Sequence, residues 1–308
     1  MKLEQNRPST LFPIVAGEQN RRSVLFQGGK MNRREFIGTG AVALAGLGFR
    51  QDKPKKSIMP GMIKGGSKLE EKFAIAKAAG FDGMEVPPDY EKAETLKAAS
   101  EKTGLPIHSV IFGGWGKPLS HPDPKIREEG VELLKKGLHF ARSVGADNLL
   151  LVPAIVDGKT RYVEAYDRSQ EAIRKAIATA EETKVVIAVE EVWNNFLLSP
   201  LEFNRYIDEF QSPWVKAYFD IGNIVKNGWP EDWIRTLGKR INRVHLKDFS
   251  KKKHQFVKLT EGDVNWKDVR KAFQEVGFTS FMTAEFNGDD FLEPEELAKR
   301  IDKIIAGE

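Results

Sequence analysis

Val185-Val186-Ile187-Ala188-Val189-Glu190-Glu191 carries five apolar residues, four of them β-branched, straight into two adjacent carboxylates. A short run of this kind suits a fully buried strand, and its polar end marks where the chain leaves the core. The same theme recurs along the body. Strands are predicted over residues 57–61, 83–86, 106–111, 148–152, 185–190, 215–220, 243–246 and 280–285, each followed by a helical stretch. Ser67-Lys68-Leu69-Glu70 has the form of a capping box opening the first helix. Ser199-Pro200-Leu201-Glu202 opens another, with proline at its first position. Over residues 126–144, Ile126, Leu133, Leu134, Leu138, Ala141 and Val144 keep helical spacing. Gly80, Gly104, Gly145 and Gly277 stand where helices should end, because glycine accepts the left-handed conformation there.

Eight strand–helix units in about 250 residues match an α/β fold of the (β/α)8, or TIM, barrel type. A single barrel domain is therefore expected over residues 56–308, preceded by an N-terminal leader. A doubly wound open sheet is the competitor, but no G-x-G-x-x-G follows the first strand and no Walker A pattern occurs.

The leader reads as an address. Residues 1–30 form an upstream extension, expected to be disordered, and residues 31–50 a signal segment. Asn32-Arg33-Arg34-Glu35-Phe36-Ile37 is a twin-arginine pattern, followed by an uncharged, Gly/Ala-rich run over residues 37–49. That run is too short for a membrane span, which needs about 20 apolar residues. It suits a Tat export signal, so the Tat machinery is an expected partner and the periplasm the expected location.

Of the 308 residues, 41% are hydrophobic and 30% charged, enough apolar material for a large core. The absence of cysteine excludes disulfides, thiolate catalysis and Cys-ligated zinc or iron–sulfur sites. The net charge of +4 belongs to the leader: residues 1–45 hold seven basic and three acidic groups, leaving 41 of each sign beyond them. A neutral body argues against a nucleic-acid partner. A small-molecule substrate is expected, with a homo-oligomer allowed and no stable membrane insertion.

In a barrel, reactive groups lie at the carboxyl ends of the strands. Four late strands end in ionisable residues: Glu190 and Glu191, Asp220, His245, and Glu285. Three carboxylates and an imidazole crowded into one mouth would repel one another unless a cation joined them. Oxygen-rich ligands with one histidine suit Mn²⁺, with Mg²⁺ or Co²⁺ as alternatives.

These segments resemble the xylose isomerase-like barrels, specifically the sugar phosphate isomerase/epimerase group. The resemblance is carried by Gly80-Phe81-Asp82-Gly83-Met84-Glu85, Val189-Glu190-Glu191-Val192-Trp193-Asn194, Phe219-Asp220-Ile221-Gly222-Asn223, Val244-His245-Leu246-Lys247-Asp248 and Ala284-Glu285-Phe286. It implies one divalent ion held by Glu190, Asp220, His245 and Glu285, with Glu191 a rival for the first position. It further implies a metal-dependent isomerase or epimerase of a keto-sugar. Glu190 and Glu285 would be the catalytic pair, one removing the α-proton and the other returning it through an enediolate.

His108, near the end of the third strand, is a candidate for a sugar hydroxyl. Lys247, two residues after His245, points the same way by strand alternation and would hold a substrate oxygen or offset the carboxylates. Trp115, in Gly113-Gly114-Trp115-Gly116, is a candidate cover for the sugar, and Trp193 reads as packing. Asn223 stands where many ketose 3-epimerases carry histidine, and it is taken as a substrate contact. Phe196 and Lys251 also replace the residues usual in that group. Lys251-Lys252-Lys253 reads as a solvated run rather than a phosphate site. The alternative on the same scaffold is a lyase or dehydratase acting on a keto-glycoside or inosose. A non-catalytic sugar-binding barrel is a further alternative. An endonuclease IV-like site would need more than the five histidines present.

Overall fold

The computed structural model describes residues 53–88, 91–114, 118–286 and 292–307. The expected extension and signal segment, and Trp115, lie outside the described residues. The strands are β1 (Lys55–Ile58), β2 (Gly83–Val86), β3 (Ile107–Ile111), β4 (Asn148–Leu151), β5 (Val186–Glu190), β6 (Val215–Asp220), β7 (Ile241–Leu246), β8 (Asp248–Ser250), β9 (Gln255–Val257) and β10 (Phe281–Ala284). The helices are α1 (Leu69–Ala78), α2 (Ala93–Thr103), α3 (Pro124–Ser143), α4 (Tyr162–Arg174), α5 (Ile177–Thr183), α6 (Pro200–Asp208), α7 (Ile221–Val225), α8 (Pro230–Leu237), α9 (Trp266–Val276) and α10 (Pro294–Ala306). Eight strands close into a parallel barrel in the order β1-β10-β7-β6-β5-β4-β3-β2, as the strand–helix repeat predicts. Among the described residues no helix is long and apolar enough to cross a membrane.

Local chemistry accounts for the element ends. Ser199 accepts from the Glu202 amide at 3.2 Å, with Pro200 in the first turn of α6. Gly104 and Gly277 follow α2 and α9 at φ 64° and 72°, a conformation most side chains avoid. The capping box of α1 is shifted by one residue. The helix begins at Leu69, so Glu71 rather than Glu70 reaches back, accepting from the Ser67 amide at 2.7 Å and the Lys68 amide at 3.3 Å. Glu70 instead pairs with Lys102 at 2.8 Å. Strand β1 runs earlier than predicted because Pro60 opens a 3-10 turn at its end. The β8–β9 hairpin was not anticipated. Its turn exposes Lys251, Lys252 and Lys253 to solvent, as expected of a charged run.

Strand alternation divides the barrel into two environments. Ile187, Val189, Ala217, Phe219, Val244 and Leu246 face outward into the main core beneath the helices. Each of these side chains larger than alanine contributes about 1.5–3 kcal/mol by its burial. Their neighbours Ala188 and Tyr218 pack inside the barrel with Leu150. This interior is crowded: a Cβ on Gly83 would lie 2.7 Å from the Phe281 ring, which stacks on His108 with centroids 4.0 Å apart.

Candidate active site

The inward period of the late strands places one ionisable side chain at each carboxyl end. Glu190 closes β5, Asp220 closes β6, His245 is the penultimate residue of β7, and Glu285 follows β10. Register aligns them, since Asp220 and Thr283 are both lateral partners of His245. One ligand atom from each of Glu190, Asp220, His245 and Glu285 lies within 4.8 Å of the others. His245 Nδ1 is 2.7 Å from Glu190 Oε1, 2.9 Å from Glu285 Oε2 and 3.9 Å from Asp220 Oδ2.

Asp220 is oriented by its own helix. Its Oδ1 caps α7 by accepting from the Asn223 amide at 2.9 Å, leaving Oδ2 to face the cluster. Lys247 Nζ lies 2.9 Å from that oxygen and 2.5 Å from Glu285 Oε2. Close approach here requires Gly222, where a Cβ would stand only 2.3 Å from the Lys247 Cβ. Asp220 Oδ2 and Glu285 Oε2 are buried and lack a well-directed hydrogen-bond donor, so the nearby lysine charge is what chiefly offsets them.

Burial and mutual charge among these side chains pull their titrations apart. Burial pushes the Glu190 carboxyl up to about 7, with His245 opposing only in part. Glu285, though penalised by burial, is driven below the usual carboxylate range by the His245 and Lys247 cations. Burial would lower His245, but Tyr218 and the carboxylates of Glu285, Glu85 and Glu190 raise it well above the ordinary imidazole value. Lys247, also penalised by burial, is raised by Asp220 and Glu285.

The donor set suits a hard divalent cation: three carboxylates and one imidazole around a common point, two of the oxygens lacking hydrogen-bond donors. The profile of the xylose isomerase-like TIM barrel family matches residues 73–304. The chain belongs to this family. Its similarity to L-ribulose-5-phosphate 3-epimerase UlaE of Escherichia coli O1:K1 / APEC is 25% identity over 253 residues, covering 77% of this chain and 88% of that protein. Among solved structures, D-allulose 3-epimerase from Methylomonas sp. in complex with D-allulose superposes with a TM-score of 0.69 at 19% identity. That match covers 83% of this chain and 97% of the other. The 3-keto-D-glucoside 4-epimerase YcjR from E. coli gives the same TM-score at 16% identity, covering 82% and 100%. Both likenesses establish a shared fold.

Against this xylose isomerase-like frame the individual expectations separate. Between the two adjacent acids, Glu190 faces the cluster, whereas Glu191 turns away and accepts from the Asp220 amide at 2.9 Å. Lys247 lies against the carboxylates. His108 does not reach the mouth: it is 4% exposed, with Nε2 on Ser57 at 2.8 Å and Nδ1 on Arg243 at 3.1 Å. Its position as the second residue of β3 sets it a layer below the strand ends, and both ring nitrogens are engaged within the protein. Asn223 spends its Nδ2 on the Glu191 carbonyl at 3.1 Å and its own carbonyl on the Trp193 indole at 2.9 Å. It lines a cavity of about 270 Å³ between the loops after β5 and β6, whose walls include Glu191 but none of the four cluster residues. Trp193 packs in part: it stacks on Phe256 at 4.8 Å, yet it is 47% exposed and lines the same cavity.

Glu85 closes the Gly80–Glu85 segment that carries the family resemblance, but the sequence reading gave it no role. It is fully buried in β2 and stands 2.7 Å from His245 Nε2. A lone carboxylate inside a strand carries no sign of a partner 160 residues away; its place in the marker segment and in the alternation of β2 pointed only to an inward course.

Proposed function

We propose that this protein is a sugar epimerase that removes and returns the proton α to the carbonyl of a keto-sugar, with Glu190 and Glu285 as its acid–base pair. The observation that carries the reading is the convergence of Glu190, Asp220, His245 and Glu285 within 4.8 Å, with two carboxyls whose titrations are driven in opposite directions. Such a pair supplies one carboxylate able to accept a proton and one carboxyl able to donate it. The three named relatives support the substrate class, since each is called an epimerase of a ketose or keto-sugar.

Glu190, Asp220, His245 and Glu285 would hold the divalent cation, for which Mn²⁺ suits the donor set. When bound, it would stabilise negative charge on the enediolate oxygen. Asp220 is the fixed member, locked by its cap on α7, and Lys247 neutralises excess carboxylate charge from the side. Glu190 and Glu285 would act as base and acid in either direction, one removing the α-proton and the other returning it, with the charge of the bound cation setting which of them is ionised. The relatives named above are epimerases, so the lyase alternative gains no support from them. We further read residues 31–50 as a twin-arginine signal that sends the enzyme to the periplasm, on the strength of Asn32-Arg33-Arg34-Glu35-Phe36-Ile37 and the short apolar run after it.

The test is incubation of Mn²⁺-loaded protein with a panel of ketoses and 3-keto-glycosides in D₂O, followed by NMR. Deuterium should enter one carbon next to the carbonyl, with the epimer appearing at unchanged composition apart from the label. Glu190→Gln and Glu285→Gln should each slow exchange by about 10²–10⁴-fold. Exchange that persists in both variants would refute the assignment.

A further inference from the structure

The barrel interior holds a buried file of polar side chains that the reaction as described does not use. It starts at Arg243, whose Nη1 donates to the Asn242 carbonyl at 3.0 Å and to Ser280 Oγ at 2.7 Å, while Nη2 donates to Asp147. Its Nε donates to His108 Nδ1 at 3.1 Å. A guanidinium has no acceptor, so His108 Nδ1 must accept and the ring proton sits on Nε2. That atom lies 2.8 Å from Ser57 Oγ and 3.3 Å from Thr283 Oγ1. Thr283 Oγ1 is 3.3 Å from the Tyr218 hydroxyl, which in turn donates to Glu85 Oε2 at 2.6 Å. Glu85 Oε1 then meets His245 Nε2 at 2.7 Å.

The far end of the file has one consistent proton arrangement. A carboxylate only accepts, so Tyr218 and His245 Nε2 both donate to Glu85. Nδ1 then faces Glu190 and Glu285, the point where the four ligand atoms converge, and a cation held there would displace the Nδ1 proton while Glu85 keeps the one on Nε2. An aliphatic side chain at position 85 would fill β2 without the cost of desolvating a carboxylate, which is several kcal/mol unless the group is paired. Ring orientation of a metal-binding histidine is commonly set by such an outer carboxylate.

We propose that Glu85, braced by Tyr218, is a positioning residue that holds His245 in its Nε2–H tautomer and aims Nδ1 at the divalent cation. This rests on the metal-site reading above. The Tyr218 hydroxyl stops the carboxylate from rotating, and the Thr283 and His108 contacts hold the hydroxyl from below.

Two measurements test it on the full-length protein. The first is Mn²⁺ titration followed by electron paramagnetic resonance for the wild type, Glu85→Gln and Tyr218→Phe. Glu85→Gln should weaken Mn²⁺ by about 10–100-fold, and Tyr218→Phe should weaken it in the same direction by less. The second is ¹⁵N-histidine NMR of the Mg²⁺-loaded protein. His245 should be protonated at Nε2 in the wild type, and Glu85→Gln should lose or blur that signature, which a purely structural role would leave alone. Should Glu85→Gln fail to fold, Tyr218→Phe, which deletes one oxygen, decides the matter. Variants that bind Mn²⁺ within twofold of the wild type, or a His245 protonated at Nδ1, would overturn the proposal alone. A wild type that binds no Mn²⁺ would overturn the metal-site reading together with it.

Discussion

Lys247→Met removes the cation between Asp220 and Glu285 and keeps most of the side chain's bulk. Lys247 Nζ lies 2.9 Å from Asp220 Oδ2 and 2.5 Å from Glu285 Oε2, and the lysine side chain is 12% exposed. Deleting one partner of a buried ion pair costs about 3–5 kcal/mol, because the other charge stays buried without compensation. Here Glu285 is 28% exposed and keeps His245 at 2.9 Å, which places the cost at the low end, about 3 kcal/mol. In a domain of this size class each kcal/mol moves the melting temperature by about 2–4 °C, so a fall of about 6–12 °C is expected in EDTA. A divalent cation would take over the lost neutralisation, and at a hundredfold excess over its Kd it adds about 2.7 kcal/mol. Thermal melts by circular dichroism, with EDTA and with Mn²⁺, read both effects. The variant should melt well below the wild type in EDTA and gain more from Mn²⁺ than the wild type does. A variant that melts within about 2 °C of the wild type in EDTA would show that the lysine does not neutralise these carboxylates.

Gly222→Ala puts a methyl 2.3 Å from the Lys247 Cβ and 3.0 Å from its carbonyl carbon, so backbone must move. It should cost about 1–3 kcal/mol in urea denaturation and slow substrate exchange by displacing Lys247 and the Asp220 cap. For Glu190, burial raises the folded carboxyl from 4.5 to about 7, so the folded state holds the proton more tightly than the unfolded chain. Its contribution to stability is full below about pH 4.5 and is lost as pH rises toward 7. In EDTA, the stability difference between wild type and Glu190→Gln should therefore shift against the wild type across that window, and a pH-independent difference would refute the shift.

Much of this architecture is written in local pattern. The β-rich runs are bounded by polar turns, and their ends agree with the observed strands to within a few residues because strand period and turn chemistry are short-range properties. The exceptions are themselves local surprises. Glu71 takes the cap expected of Glu70 because the first turn of α1 starts one residue later, and the β8–β9 hairpin forms around Asp248. That carboxylate accepts from the amides of Phe249, Thr260, Gly262 and Val264, contacts that only the folded loop brings within reach.

The carboxyl-end position of Glu190, Asp220, His245 and Glu285 also follows from sequence, since a strand's last inward residue points into the mouth of any parallel barrel. Which of two neighbouring acids faces inward does not. Glu190 and Glu191 differ by one residue, and only strand register against Tyr218 and the Asp220 amide assigns them. His108 shows the same limit from the other side: its distance below the strand end, and so its bonding to Ser57 and Arg243, depends on how far β3 extends around the barrel. Glu85 and His245 meet across 160 residues because closure of the sheet folds β2 and β7 onto a common interior. Periodicity tells each side chain which face to take; the stagger of a closed barrel decides which faces meet, and that stagger is a property of all the strands together.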